Sequence, residues 1–211
     1  MLRLVESMNS LFDLTARRRF DPVDRTWAPA PEIPEGNDVS MVPAATWLQR
    51  RSGGPLRQPI AVIGPRDANT DQMTTAEALG RALASIGFSV VCGGKQGIMQ
   101  AVCRGVAAAN GVSIGLLPET EADHANPYVT ISIATGIGEA RNALVARAGF
   151  CLVCIGNSYG TLSEVALGLQ FGRPVIGLSG APQVEGVRHL ATEEAALDAV
   201  AAIALGLGTM R

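Results

Sequence analysis

The chain has 211 residues, a formal net charge of −2 and 47% hydrophobic residues. This length suits one domain of ordinary size with an appendage, and the composition can bury a sizeable core. The near-neutral charge argues against a nucleic-acid partner, which would need clustered Lys and Arg. No uncharged apolar run reaches the roughly 18 residues of a spanning helix, and Glu6, Asn9 and Asp13 interrupt any signal-peptide pattern. We therefore expect a cytoplasmic protein with no membrane partner.

Residues 1–58 differ from the rest and are predicted to form an N-terminal arm. Apolar side chains recur at helical spacing within residues 2–16, at Leu4, Met8, Leu11 and Phe12. This spacing predicts a short amphipathic helix. Six prolines follow, which favour an extended segment: Pro22, Pro29, Pro31, Pro34, Pro43 and Pro55. Because Trp27 and Trp47 lie here, we expect the arm to pack on its own core or on a neighbouring subunit, with a partner-binding tail as the alternative.

From residue 59 onward, short apolar runs alternate with helical patterns. The segments predicted as strands are 60–64, 88–92, 112–117, 129–134, 150–155 and 174–178. Those predicted as helices are 74–86, a segment ending near 109, 138–148, 160–171 and 192–205, with a candidate capping box from Thr74 to Glu77. Val-, Ile- and Leu-rich strands alternating with helices are typical of a parallel sheet covered on both faces. Residues 59–211 are therefore predicted to form a three-layer, Rossmann-like α/β domain, which binds ligands beyond the carboxyl ends of its strands.

Two glycine-rich turns, at 92–99 and 155–164, each join a predicted strand to a predicted helix. Glycine lets the backbone turn sharply and approach a ligand, and the start of a helix offers unpaired N–H groups and the positive end of its dipole. We expect two phosphate cradles. The candidate phosphate-binding residues are Gly64, Gly93, Gly94, Lys95, Gly97, Met99, Gly156, Asn157, Ser158, Tyr159, Gly160 and Thr161.

The sequence argues against three familiar kinds of binding site. The glycines at 93, 94 and 97 do not follow the dinucleotide pattern, and no Asp or Glu occurs between Gln100 and Pro118 to hold a ribose. The Gly-Lys-Ser/Thr ending of the ATPase phosphate loop is absent from the sequence. With only His124 and His189, far apart, no metal site is expected.

Four cysteines, Cys92, Cys103, Cys151 and Cys154, lie within apolar stretches rather than in loops, which does not favour a disulfide framework. Cys151 and Cys154 have the CxxC spacing, but they fall in a strand-like run, where this offset points them to opposite faces. A redox CxxC motif opens a helix instead. A buried structural role is therefore predicted.

Three motifs in this order resemble the LONELY GUY-like Rossmann superfamily, long mislabelled as lysine decarboxylases: Gly93-Gly-Lys-Gln-Gly-Ile-Met99, Gly138-Glu-Ala-Arg-Asn142 and Gly156-Asn-Ser-Tyr-Gly-Thr-Leu-Ser-Glu164. The phrase from Ala125-Asn-Pro-Tyr-Val to the second motif is similar to the branch that contains the molybdenum cofactor carrier proteins. The resemblance covers roughly residues 59–205. It implies a homodimer or homotetramer that binds a small phosphorylated ligand.

The resemblance also implies roles for Arg141 and Glu164, which match the catalytic pair of superfamily enzymes that remove the base from nucleoside 5′-monophosphates. A carboxylate can stabilise oxocarbenium charge or activate water, and arginine can hold phosphate in a bidentate fork. The alternatives are that Glu164 only caps its helix and that Arg141 is a surface ion-pair partner.

The chain departs from the enzymes' pattern at three places. Asn157 and Ser158 stand where the enzymes usually have glycines, Asn142 stands where lysine usually follows the arginine, and Lys95 replaces a common glycine. These changes keep or strengthen phosphate binding, Lys95 by adding a positive charge at the anion site, but they weaken the expectation of hydrolysis.

Two functional hypotheses follow. The first is a carrier or binding protein for a phosphorylated, nucleotide-like or pterin-like ligand, which the resemblance suggests is the molybdenum cofactor. The second is a phosphoribohydrolase that uses Arg141 and Glu164 on a nucleoside monophosphate. Arg141 and Asn142 are also candidate ligand- and phosphate-binding residues. A third interpretation is a regulatory module whose arm contacts a partner.

Overall fold

The computed structural model describes residues 1–208 as two compact units. Of the described residues, one unit contains 1–56 together with 198–208, and the other contains Arg57–Leu197. Each unit has its own β-sheet. Within residues 1–208, no helix is both long enough and apolar enough to cross a membrane.

The N-terminal unit contains a five-stranded antiparallel sheet. Its strands are β1 (Leu2–Val5), β2 (Ser10–Asp13), β3 (Arg18–Asp21), β4 (Thr26–Pro29) and β5 (Asn37–Val39), in the spatial order β4-β3-β2-β1-β5. Helix α1 (Met41–Arg50) follows and carries Pro43 in its first turn, where the missing N–H costs little.

The helix predicted within residues 2–16 is wrong. The segment forms β1, a 3₁₀ turn at Glu6–Met8 and β2, and Asn9 in the left-handed region (φ 46°) ends the turn. The hairpin register sets Leu4 opposite Leu11. The seven-residue separation of Leu4 and Leu11, which matches two turns of a helix, therefore comes from a cross-strand pair.

Both tryptophans of the N-terminal unit pack within it. Trp47 on α1 is buried and donates its indole N–H to Asn9 Oδ1 at 2.6 Å. Trp27 on β4 lies 5.0 Å from the Phe20 ring and donates to the Leu205 carbonyl at 2.7 Å. The proline-rich segment is thus folded rather than simply extended.

The second unit contains a seven-stranded, wholly parallel sheet. Its strands are β6 (Ile60–Ile63), β7 (Val90–Cys92), β8 (Ser113–Leu117), β9 (Ile131–Ala134), β10 (Leu152–Ile155), β11 (Val175–Leu178) and β12 (Val187–His189). Their order is β12-β11-β10-β6-β7-β8-β9. All residues of β6, β10 and β11 are buried, which explains their continuous apolar runs.

The helices of this unit are α2 (Thr70–Ile86), α3 (Ile98–Ala108), α4 (Asn142–Ala148) and α5 (Tyr159–Gln170), and α6 (Glu193–Ala204) begins in it. Helix α2 packs along α3, and helix α4 packs along α5. Both helix pairs contact the parallel sheet. The predicted three-layer, Rossmann-like fold is confirmed. Helix α2 begins one turn earlier than predicted, and its capping box joins Asn69 to Gln72 rather than Thr74 to Glu77.

All four cysteines are buried free thiols. Burial raises the pKa of Cys154 to about 12 and raises that of Cys151 further. A thiol with so high a pKa is a poor nucleophile at neutral pH. The structure therefore supports a structural role for the CxxC pair.

Candidate functional site

The candidate site lies where the strand order reverses. The chain continues from β6 through β7, β8 and β9 on one side of the sheet, while β10 pairs on the other side of β6. Connections that diverge at such a point leave a crevice at the carboxyl ends of the strands. A cavity of about 690 Å³ opens there, between the loop after β6 and the loop after β10.

Ten of the residues singled out in the sequence line this cavity: Gly64, Met99, Arg141, Asn142, Asn157, Ser158, Tyr159, Gly160, Thr161 and Glu164. Five lining residues were missed: Pro65, Arg66, Asp67, Glu139 and Ser163. The rule that ligands bind at the carboxyl ends of parallel strands could have found Pro65, Arg66 and Asp67, because they directly follow β6.

The start of α5 forms one wall of the cavity. Ser158 caps the helix: its Oγ accepts the Thr161 N–H at 3.1 Å, and its carbonyl accepts the Leu162 N–H at 2.8 Å. The N–H groups of Tyr159 and Gly160 have no acceptor within the helix, as is usual in a first turn. A Cβ on Gly160 would meet nothing closer than 3.8 Å, so the space in front of it is open. This wall presents free donors at the positive end of a helix dipole.

Arg141 and Glu164, one turn further along α5, form a buried ion pair that also lines the cavity. They are 4% and 6% exposed, and Arg141 Nη1 lies 3.2 Å from Glu164 Oε1. Arg141 also donates to Asn142 Oδ1, and Asn142 Nδ2 donates to Ser163 Oγ at 2.9 Å. Two alternatives from the sequence are thus wrong: Ser158 rather than Glu164 caps α5, and Arg141 is not a surface residue.

Burial raises the pKa of Glu164 to about 8, since removing the carboxylate from water disfavours its charged form. The Arg141 guanidinium acts in the opposite direction, and nearby Glu139 adds to the rise. Glu164 can therefore hold or release a proton near neutral pH, which is a property of acid–base groups in active sites and of buried polar hydrogen-bond donors alike.

Apart from Met99, the predicted phosphate-binding residues of the first glycine-rich turn do not line the cavity. A Cβ on Gly93 would come 2.8 Å from Arg141 Nη2, and one on Gly97 (φ +67°) would come 2.2 Å from the Arg66 carbonyl. Gly94 (φ +70°) and Gly156 (φ +72°) also need glycine's freedom, and a Cβ on Gly156 would come 2.9 Å from Gln72 Nε2. These glycines allow the walls to approach each other closely.

Lys95 does not supply positive charge to the cavity, contrary to the prediction. Its Nζ lies 2.5 Å from Glu119 Oε1, and the residue is only 7% exposed. This pairing holds the pKa of Glu119 below its ordinary value. Asn126 fixes the turn by donating to the carbonyls of Gly94 and Lys95 at 3.2 and 3.1 Å. The charge of Lys95 is thus neutralised within the fold.

Across residues 1–208, the side chains of His, Cys, Asp and Glu do not gather in a group of three or more that could hold an ion.

The fold and the site define a Rossmann-like α/β protein with a ligand cavity at the topological switch point. The chain belongs to the SLOG cluster4 family, whose model matches residues 57–210. An uncharacterized protein from Archaeoglobus fulgidus is 32% identical over 139 residues, which is 66% of this chain and 91% of that protein.

Two solved structures resemble this chain over 70% of its length and 98% of theirs. The molybdenum cofactor binding protein of Rippkaea orientalis is 31% identical, with a TM-score of 0.67. The molybdenum cofactor carrier protein of Chlamydomonas reinhardtii is 33% identical, with a TM-score of 0.64. The resemblance inferred from the three sequence motifs is confirmed.

Proposed function

We propose that this protein binds and carries a small phosphorylated ligand of nucleotide-like or pterin-like shape, and that this ligand is the molybdenum cofactor. The observation that carries the proposal is the start of α5, where two free backbone N–H groups face an open cavity. The similarity to cofactor-binding proteins of Rippkaea orientalis and Chlamydomonas reinhardtii supports the choice of cargo.

The ligand's phosphate would lie against the N–H groups of Tyr159 and Gly160, where the helix dipole favours negative charge. Arg141 would contribute a guanidinium to the same cavity, held in place by Glu164 and Asn142. A cavity of about 690 Å³ is within the range that encloses small ligands. The pterin would then occupy the space between the loops after β6 and β10.

The cargo is tested by purifying the protein without oxygen and measuring molybdenum by mass spectrometry and pterin by fluorescence after oxidation. Gly160→Ala places a methyl group in front of the free N–H groups without a clash, so we expect a folded protein with at least tenfold less cofactor. Gln170→Ala, on an exposed position of the same helix, is the control. Equal loading of Gly160→Ala and the native protein would refute the phosphate position, and absence of cofactor from the native protein would refute the cargo.

A second candidate function is hydrolysis of the N-glycosidic bond of a nucleoside monophosphate. It is favoured by the buried Glu164 beside Arg141, because a carboxylate whose pKa is about 8 can exchange a proton during the reaction. The test is chromatographic detection of free base released from AMP. Base release that is lost in Glu164→Gln would establish the hydrolase and remove the carrier proposal.

We also propose that the protein is a cytoplasmic homodimer or homotetramer. Large apolar side chains of the second unit are exposed by 38–47%, among them Ile131 and Ile133 on the edge strand β9, and Leu144 and Leu162 on the packed helices α4 and α5. Exposed apolar groups on edge strands and helix pairs are available for subunit interfaces. Light scattering after gel filtration measures the mass, and a monomer at micromolar concentration would contradict this proposal.

A further inference from the structure

Glu139 contacts the two arginines that line the cavity. Its Oε1 lies 3.4 Å from Arg66 Nη2, and its Oε2 lies 3.8 Å from Arg141 Nη2. Arg66 comes from the loop after β6, and Arg141 precedes α4, so one carboxylate joins two walls of the cavity. The Glu139 side chain is 68% exposed, whereas that of Arg141 is 5% exposed.

The formal charges around the cavity do not favour an anion. Arg66 and Arg141 face Asp67, Glu139 and Glu164. Even with Glu164 protonated, as its raised pKa of about 8 favours at neutral pH, Asp67 and Glu139 balance the two arginines, so a phosphate dianion would meet no net positive side-chain charge unless a carboxylate moved away. Glu164 is buried and cannot leave, but Glu139 is exposed and its ion pairs are long. Exposed pairs of this kind are weak, so Glu139 is the carboxylate that moves most easily.

We infer that Glu139 and the phosphate of the ligand compete for Arg66 and Arg141, so that Glu139 sets the affinity and Arg66 is a phosphate contact. The inference rests on the proposed phosphate-binding function and names two residues of that site. A phosphate presents oxygens at a separation similar to those of a carboxylate, so it can bridge the same two guanidinium groups. Glu139 then turns into solvent, and the net charge facing the phosphate becomes more positive.

Titration calorimetry with AMP, and with adenosine as its uncharged counterpart, tests the competition. Glu139→Gln removes the competing charge, so we expect AMP to bind about threefold to tenfold more tightly. Arg66→Gln removes one phosphate contact, so we expect AMP to bind about tenfold more weakly. Neither substitution should change the binding of adenosine, because adenosine has no phosphate.

Asp67→Asn is the matched control. It removes one negative charge from the same cavity wall, but Asp67 forms no hydrogen bond or ion pair within residues 1–208. If the carboxylates only repelled the phosphate electrostatically, Glu139→Gln and Asp67→Asn would raise AMP affinity by similar factors, and salt would reduce both increases. Competition predicts the larger increase in AMP affinity for Glu139→Gln.

The outcomes separate the inference from the proposed function. Equal gains for Glu139→Gln and Asp67→Asn, an equal gain for adenosine, or no loss in Arg66→Gln would overturn the competition while leaving phosphate binding intact. Binding of AMP by Glu139→Gln alone would support the competition strongly. If neither the native protein nor Glu139→Gln bound AMP, the competition and the binding of a nucleotide-like phosphate would both be overturned.

Discussion

The buried carboxyl of Glu164 should make the stability of this protein depend on pH. Its pKa is raised from 4.5 to about 8, with burial as the main cause. The folded protein therefore binds this proton more tightly than the unfolded chain does, so protonation favours folding. The contribution is complete below pH 4.5, the unfolded value, and is lost as the pH rises through about 8.

The size of the effect follows from proton linkage. Between pH 6 and pH 9 the linkage of Glu164 should lower the free energy of unfolding by the equivalent of about two pK units, or about 3 kcal/mol. In a protein of this length, that loss lowers the Tm by roughly 5–10 °C. Glu164→Gln has no charge to develop at this position, so its stability should fall less over the same pH range.

Thermal unfolding followed by circular dichroism at pH 6, 7, 8 and 9 measures the difference between the two proteins. Groups common to both cancel in that difference, and Glu185→Gln, at an exposed position, should behave like the native protein. Parallel Tm profiles for the native protein and Glu164→Gln would refute the reasoning. They would mean that Arg141 keeps Glu164 ionised in the folded state throughout this range.

Three further substitutions test the packing, each measured by urea unfolding. Gly97→Ala should cost at least about 2 kcal/mol more than Gly172→Ala, because both glycines have φ +67° but only the Gly97 Cβ would meet backbone carbonyls; equal costs would exclude the clash. Asn126→Ala should cost about 1–2 kcal/mol, because the Lys95 carbonyl loses its side-chain donor while the Gly94 carbonyl keeps the backbone N–H of residue 126, and unchanged stability would contradict this. Trp47→Phe should cost about 1–2 kcal/mol through the lost bond to Asn9, and retention of full stability would show that the bond contributes nothing.

The elements of the second unit were largely predictable because most of its strands, apart from the edge strands β9 and β12, are buried. Continuous apolar runs such as those of β6, β10 and β11 need no tertiary knowledge to be found. Strand β12 was missed, because the three residues Val187–His189 are partly or fully exposed and show no apolar run. Local sequence therefore predicted the layers and the edge strand β9, but not the other edge strand, β12.

The site was predictable where a local sequence motif marks it, but not where residues far apart in sequence come together only in the folded protein. Helix α5 and its turn were found from glycine spacing. The partner of Lys95 was not, since Glu119 lies 24 residues away and nothing local connects the two. Arg66 and Glu139 were missed for a similar reason, because their pairing joins positions 73 residues apart.

The N-terminal unit shows the limit of apolar spacing as a signal. Leu4 and Leu11 fit one face of a helix as well as they fit a cross-strand pair, and only the paired strand decides between them. Helix α1 was missed because Pro43 argues against a helix unless it is known to lie in the first turn.

The order of the strands also sets the order in which the cavity can form during folding. β6 to β9 can pair in the sequence in which they are synthesised, whereas β10 must return to β6 across roughly 90 residues, with Val153 beside Val62. Closing so long a loop is slow compared with local pairing. The cavity lies between the loops that follow β6 and β10, so it can form in a nascent chain only after β10 has paired with β6. Ligand present during synthesis would therefore stabilise only chains that have completed this pairing.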